Sequence, residues 1–223
     1  MIYIGYDRRI SIAAEVCKYS LKRNSSNPLD IQFLKSADIL NYRRCVLEPQ
    51  STDFTFTRFW VPYLSGYKGY SIFCDCDFLF LRDISNIDFD PTKAVSVVKR
   101  EPYIPNSEFK MDGVPQHNSL RKNWASIMVF NNEHPDCKAL NPEYLNNIVP
   151  GKLLHTFDWT DSIGELDPRW NVLDGYDKFP DPYAIHYTDG GPWFEEYKET
   201  YYSNEWIKYY ENYIVKKSDE KKL

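Results

Sequence analysis

Ser71-Ile72-Phe73-Cys74-Asp75-Cys76-Asp77-Phe78-Leu79-Phe80-Leu81-Arg82-Asp83 is an apolar run that carries two carboxylates two residues apart. A run this apolar reads as a buried central strand. Burying Asp75 and Asp77 without partners is costly, because a carboxylate taken from water needs compensating charge or hydrogen bonds. A strand also puts residues i and i+2 on one face. The two carboxylates are therefore expected to point the same way at the strand's end, toward a positive group. A divalent metal ion holding a nucleotide diphosphate fits those charges. The same alternation turns Cys74 and Cys76 away from the carboxylates, into the core rather than toward a metal.

The rest of the chain sets the class. Its 223 residues suit one domain, and a 43% hydrophobic content is enough for a real core. The 18 tyrosines suit a groove that stacks bases or sugar rings, and suit a packed core equally well. A net charge of -5 argues against a dedicated nucleic-acid binder. No stretch approaches the ~18 apolar residues of a membrane span. Met1 to Gly5 reads as a strand and lacks the basic flank of a signal peptide. Five cysteines, three of them on core-like elements, make disulfides unexpected, and the cytoplasm is the expected location.

Residues 1–5 followed by Tyr6 and Asp7, with Ser11 as an N-cap, read as strand, loop and helix. Ligands of open α/β sheets bind beyond the carboxyl ends of strands. Asp7 stands there, where it either accepts the N3–H of a uracil or caps the following helix. Residues 29–34 alternate like a second strand. Phe56, Phe59, Trp60 and Tyr63 make a helical apolar face, and Arg58 within it is either buried, needing Asp75, Asp77 or a phosphate as its anion, or a surface arginine on the helix's wet side. Residues 95–98 read as a strand. From Lys99 to Lys122 no period is visible; a loop that long reads as a functional lid or as disordered, and with Tyr103, Lys110, Asp112 and His117 inside it the lid would cover an acceptor. Trp124 to Phe130 reads as the next strand. Asp158 and Asp161 flank Trp159. Gly190 and Gly191 let backbone N–H groups approach an anion. Trp206, Tyr209, Tyr210 and Tyr213 share one helix face, which either packs on the core or, with the lysines of 216–223, touches a membrane surface. No repeat or linker divides the chain. The expected organisation is one domain over 1–223, with a nucleotide-binding half at 1–100, an acceptor-binding half at 101–215 and a charged tail at 216–223.

Taken together, Gly5-Tyr6-Asp7, Thr57-Arg58-Phe59, Asp75-Cys76-Asp77, Asn123-Trp124-Ala125-Ser126, Glu165 to Asn171 and His186-Tyr187-Thr188-Asp189-Gly190-Gly191-Pro192-Trp193 resemble the small GT-A glycosyltransferases of bacteria and large DNA viruses, related to glycosyltransferase family 8. The resemblance covers nearly the whole chain. It implies an α/β fold of the GT-A, Rossmann-like type: a mixed, mostly parallel sheet flanked by helices. It implies Asp75, Asp77 and His186 as metal ligands. It implies Tyr6, Asp7, Arg58, Asp75, Cys76, Asn123, Ser126, Gly190 and Gly191 around a nucleotide-sugar donor, UDP-sugar by preference. The acceptor would be a glycan or glycolipid of surface polysaccharide or glycoconjugate synthesis. Two positions depart from the family 8 pattern. Gly191 stands where a Lys commonly reaches the diphosphate, so backbone amides of 190–191 or a lysine elsewhere must supply that charge. Ala125 stands where Asn is usual, which leaves the donor sugar open.

Two carboxylates suit Mg²⁺ or Mn²⁺, and an added imidazole favours Mn²⁺. His186 must be neutral to ligate, so activity is expected to fall as pH drops through its titration. An inverting enzyme also needs a general base, for which Asp161 and then Asp158 are the candidates, each reading equally as a solvated turn residue. Two rivals remain. A HAD-type phosphatase also uses Asp-x-Asp at a strand end, but near the N-terminus. A nucleotide-sugar-binding module without turnover would share the donor site.

Overall fold

The computed structural model describes residues 1–43, 52–101, 106, 108–110, 113–115, 121–148 and 151–220. Tyr103, Asp112 and His117 lie outside them, as does Cys45. The chain opens with β1 (Ile2–Gly5), α1 (Ser11–Asn24) and β2 (Ile31–Leu34). A 3-10 turn at Thr57–Trp60 leads into α2 (Val61–Leu64), β3 (Tyr70–Cys74), β4 (Phe78–Phe80) and β5 (Val95–Val97). A hairpin of β6 (Phe109–Lys110) and β7 (Val114–Pro115) precedes β8 (Ile127–Asn131) and α3 (Pro142–Asn147). β9 (Ile163–Glu165), β10 (Val172–Leu173), β11 (Ala184–His186) and α4 (Ser203–Glu220) complete the described chain.

Six strands form the main sheet in the order β2-β1-β3-β8-β5-β9. All run parallel except β8, which is antiparallel to both β3 and β5. Strands on either side of residue 100 thus share one sheet. β1, β5 and the last two residues of β3 are fully buried, as expected of apolar strands covered on both faces. A second sheet has the order β10-β11-β4, with β4 antiparallel to β11.

The 71–81 run is not one strand. Its first part pairs with β1 and β8 in the main sheet, while Phe78–Phe80 pair with β11 in the second. Residues 75–77 form the turn between them, with the Asp75 N–H donating to Ser126 O at 2.9 Å. The carboxylates are therefore brought together by a turn, not by strand alternation. Cys74 and Cys76 are buried in the core, and among the described residues Cys17, Cys74, Cys76 and Cys137 are free thiols.

Helix α1 covers the outer edge of β4. The Ser20 hydroxyl accepts from Phe80 N at 3.0 Å, and the Asn24 amide donates to Phe80 O at 2.8 Å. Those contacts satisfy an edge that would otherwise be open to pairing. Ser11 is the first helical residue rather than a cap. Asp7 caps the preceding 3-10 turn, accepting from Arg9 N at 2.9 Å. Helix α4 lays its aromatic face inward: Tyr209 and Tyr213 meet Tyr19 at 6.4 and 6.0 Å, and Trp206 meets Trp193 at 5.4 Å. The face proposed for a membrane surface is covered by protein, so the peripheral membrane contact loses its basis. No helix among the described residues is long and apolar enough to cross a membrane. Strand β8 begins at Ile127 rather than Trp124, because Asn123 is left-handed (φ 64°) and 124–126 form a 3-10 turn.

Candidate active site

The turn at 75–77 projects from the carboxyl end of β3. The pairing of β4 with β11 sets His186 opposite Phe78, one residue from Asp77. The Tyr187 N–H extends that ladder to Asp77 O at 2.9 Å. One ligand atom each from Asp75, Asp77 and His186 lies within 4.8 Å of the others. All three are buried, at 7%, 5% and 2% exposure. The imidazole stacks on the Phe78 ring with centroids 4.4 Å apart, which fixes its plane.

Asn171 fixes the tautomer. Its amide NH₂ donates to Asn123 O at 3.0 Å, so its Oδ1 is the atom facing His186 Nδ1 at 2.9 Å. An acceptor there requires Nδ1 to carry the proton. Nε2 then presents its lone pair toward Asp77 Oδ1, 3.5 Å away. A metal-ligating histidine is oriented in this way, by an acceptor on its other ring nitrogen.

The charges are unbalanced in a way that fits a cation. The Arg58 guanidinium lies 2.8 Å from Asp75 Oδ1 and also donates to Thr55 O and Ala125 O. The Oδ1 atoms of Asp75 and Asp77 are nonetheless buried without a hydrogen bond; the Arg58 contact is an ion pair without hydrogen-bond alignment. Burial pushes the Asp75 carboxyl up to about 6, with Asp77 adding to it and Arg58 and His186 opposing. Two buried carboxylates with inward oxygens lacking donors, beside an imidazole with a free lone pair, match the donor set of Mn²⁺ or Mg²⁺.

These three residues open into a cavity also lined by Thr55, Asn123, Ser126 and Thr188. Four cations line it, Arg58, Lys110, Arg121 and Lys122, against the two carboxylates Asp75 and Asp77. In a chain of net charge -5, such a local excess marks a place for an anion.

No family model matches the chain. Protein CDI of Arabidopsis thaliana is 37% identical over 225 residues, covering 95% of this chain and 86% of that protein. This chain belongs to the Protein CDI family. Among solved structures, it is similar to the WbbM bifunctional glycosyltransferase (TM-score 0.62, 16% identity, 94% of this chain, 49% of that one). It is also similar to the glycosyltransferase GlyE of Streptococcus pneumoniae (TM-score 0.59, 17% identity), covering 94% of this chain and 60% of that one. A third similar structure is the galactosyltransferase LgtC with donor and acceptor sugar analogues (TM-score 0.57, 10% identity), where 95% of each chain is covered. The chain thus spans about half of WbbM and 60% of GlyE. At these identities the likeness establishes the fold: this CDI-family chain has the GT-A glycosyltransferase architecture.

Within the CDI-family chain, Arg58, Asp75, Asp77, Asn123, Ser126 and His186 meet in one cavity. Other expected site residues do not line that cavity. Tyr6 packs on Phe33 at 5.4 Å. Both Asp7 oxygens are engaged, by Arg9 and by the Asp53 N–H, which holds that carboxyl below its usual range despite burial. The helix-capping alternative therefore describes Asp7 here. Cys76 is wholly buried. The Gly190 N–H donates to Tyr187 O at 3.0 Å, and its φ of 139° suits glycine alone. A Cβ on Gly191 would overlap the Trp193 ring.

Asp158 and Asp161 are not brought to the site. β9 runs parallel to β5, with Ile163 beside Val95 and Glu165 beside Val97. Val95 pairs with Phe130, which pairs with Ser71, at the opposite end of β3 from Asp75. Asp161 precedes β9 and so sits at the remote end of the sheet. Asp158 accepts from the Thr156 hydroxyl and lines a separate surface cleft with Asn141 and Tyr144. Neither is retained as the base. Sequence reasoning also missed Arg121, Lys122 and His155, which line the cavity, and the Asn171 partner of His186. The basic pair immediately before Asn123 was the available signal.

Proposed function

We propose that this chain is a metal-dependent glycosyltransferase, related to family 8, that takes a sugar from a nucleoside-diphosphate donor, UDP-sugar by preference, to a hydroxyl of a glycan or glycolipid in surface polysaccharide or glycoconjugate synthesis. The observation that carries it is the buried Asp75–Asp77–His186 set with inward oxygens lacking donors, inside a cavity with excess cations. LgtC, of similar architecture, was solved with donor and acceptor sugar analogues, which supports the same kind of ligand pair. The Asp75–Asp77 turn follows the carboxyl end of β3, and open α/β sheets bind ligands beyond such strand ends.

Asp75, Asp77 and His186 would hold Mn²⁺ or Mg²⁺. When bound, such an ion supplies Lewis-acid stabilisation to the charge growing on the diphosphate. The chain's own residues do the rest. Arg58 holds Asp75 ionised and in place. Asn171 keeps His186 Nδ1 protonated and Nε2 available. Asn123 and Ser126, whose turn is locked by the Asp75 N–H to Ser126 O bond, face the donor side of the cavity. A phosphatase reading is less well served, since Asp75 is ion-paired to Arg58 rather than poised as a nucleophile.

The test is a thermal-shift panel of nucleotide sugars with Mn²⁺, followed by donor hydrolysis with the best binder. A Mn²⁺-dependent shift with UDP-sugars and slow UDP release is expected. Binding without release would make the chain a nucleotide-sugar-binding module. No shift with any nucleotide sugar, together with metal-independent phosphate release from an aryl phosphate, would overturn the proposal.

A further inference from the structure

The geometry points to Lys110, on the β6–β7 hairpin, as the cation that faces the diphosphate and stabilises the departing nucleotide. This rests on the reading of the site as a nucleotide-sugar site. The need for such a group follows from the chemistry: as the bond from the sugar's anomeric carbon to the diphosphate oxygen breaks, its electron pair stays on that oxygen. The acceptor oxygen forms the new bond to the anomeric carbon, and its proton passes to the departing diphosphate or to solvent.

The C-terminal loop cannot supply this cation. Any side chain at Gly191 would overlap the Trp193 ring, and Trp193 is held by Tyr187 and Trp206. The Gly190 N–H is already bonded to Tyr187 O. Of the four cations lining the cavity, two are committed. Arg58 serves Asp75, Thr55 O and Ala125 O. Arg121 donates to Thr156 O and lies over the Trp124 and Phe157 rings at 5.2 and 5.7 Å. Lys122 has Asp189 as the carboxylate acting on it. Lys110 is the cation whose strongest carboxylate neighbours are Asp77 and Asp75 themselves. It lines the same cavity as Asp75, Asp77 and His186. Its hairpin pairs Lys110 with Val114 and Phe109 with Pro115, so the side chain projects from a defined strand position rather than an extended tether. A lysine is well suited here, because its compact ammonium meets phosphate as a point charge.

The experiment compares Lys110→Met, Lys110→Gln and Lys110→Arg with the unmodified chain, by calorimetric titration of UDP and of UMP with Mn²⁺. A charge-assisted contact to the second phosphate predicts that Lys110→Met and Lys110→Gln weaken UDP about tenfold or more. UMP, lacking that phosphate, should change less than about twofold by the same reasoning. Lys110→Arg should recover most of the UDP affinity. Melting temperatures without ligand separate binding loss from misfolding, with the Gln variant standing in if Met perturbs the hairpin. UDP affinity unchanged in both neutral variants, or equal loss for UDP and UMP, would overturn the assignment of Lys110 alone. Absence of Mn²⁺-dependent UDP binding in the unmodified chain would overturn the site reading and this inference with it.

Discussion

Asp75→Asn and Asp77→Asn should have opposite effects on the metal-free protein, although both remove one carboxylate from the same site. Asp77 Oδ1 is buried without a donor and faces His186 Nε2 at 3.5 Å. An asparagine there can donate to that lone pair. It also removes one of two like charges no more than 4.8 Å apart. At that distance two unit charges repel by about 3–4 kcal/mol at an effective dielectric near 20. Arg58 offsets part of this, so a net gain of about 1–2 kcal/mol is expected. Asp75→Asn instead strips the anion from a buried guanidinium 2.8 Å away. Breaking a buried pair from one side costs about 3–5 kcal/mol, reduced here because Arg58 still donates to two carbonyls and because the neutral amide relieves the burial penalty that raises the Asp75 carboxyl. For a chain of this length, 1 kcal/mol moves the melting temperature by about 2–4 °C. Melting in EDTA at pH 7.5 should thus rise by roughly 2–8 °C for Asp77→Asn and fall for Asp75→Asn by less than the about 6–20 °C of an unrelieved break. Both variants should lose the stabilisation that Mn²⁺ confers on the parent. A destabilised Asp77→Asn protein that keeps its Mn²⁺ shift would refute the reasoning, since Asp77 would then be a structural residue.

Three further outcomes are expected. Asn171→Ala frees the His186 tautomer, and Mn²⁺ affinity measured by titration should fall about 10–100-fold with the fold intact; unchanged affinity would remove Asn171 from the site's support. Asp75 in the folded chain is raised to about 6 from 3.8, so between those values the folded state binds more protons than the unfolded one. Metal-free stability attributable to Asp75 should therefore decline as pH rises across that window, while the Mn²⁺-induced shift grows over it and fades toward pH 4; a shift independent of pH in thermal scans would contradict this. Gly191→Ala should destabilise by about 1–3 kcal/mol, because the new methyl displaces the Trp193 ring from its contacts with Tyr187 and Trp206; denaturant unfolding with no loss would show that the loop yields freely.

Much of the site was readable in the sequence because carboxylates inside an apolar run are conspicuous: Asp75 and Asp77 stand out among Ile72, Phe73, Phe78 and Leu79. Arg58 stood out for the same reason, and the structure pairs it with Asp75. The division of that run between two sheets was not readable. Hydrophobicity reports that both parts are buried, and says nothing about which strands they pair with. His186 entered through resemblance, and its placement depends on the register of β11 against β4, a long-range pairing with no local signature. Asn171 is one amide among many in sequence; only the position of Asn123 O orients it. For Asp161 the sequence left a base and a solvated turn residue equally open, because an acidic turn looks alike at either end of a strand. The direction of β9 decides which end it occupies.

The turn at 75–77 has a mechanical meaning. It carries the chain from the main sheet to the second sheet in three residues, and the third ligand, His186, belongs to the second sheet alone. An ion held by Asp75, Asp77 and His186 would act as a rivet across the seam between two independently hydrogen-bonded layers. Loading the site would then stiffen the seam as a whole, so that occupancy at one atom-sized position is felt along β4 and β11 as resistance to the layers parting.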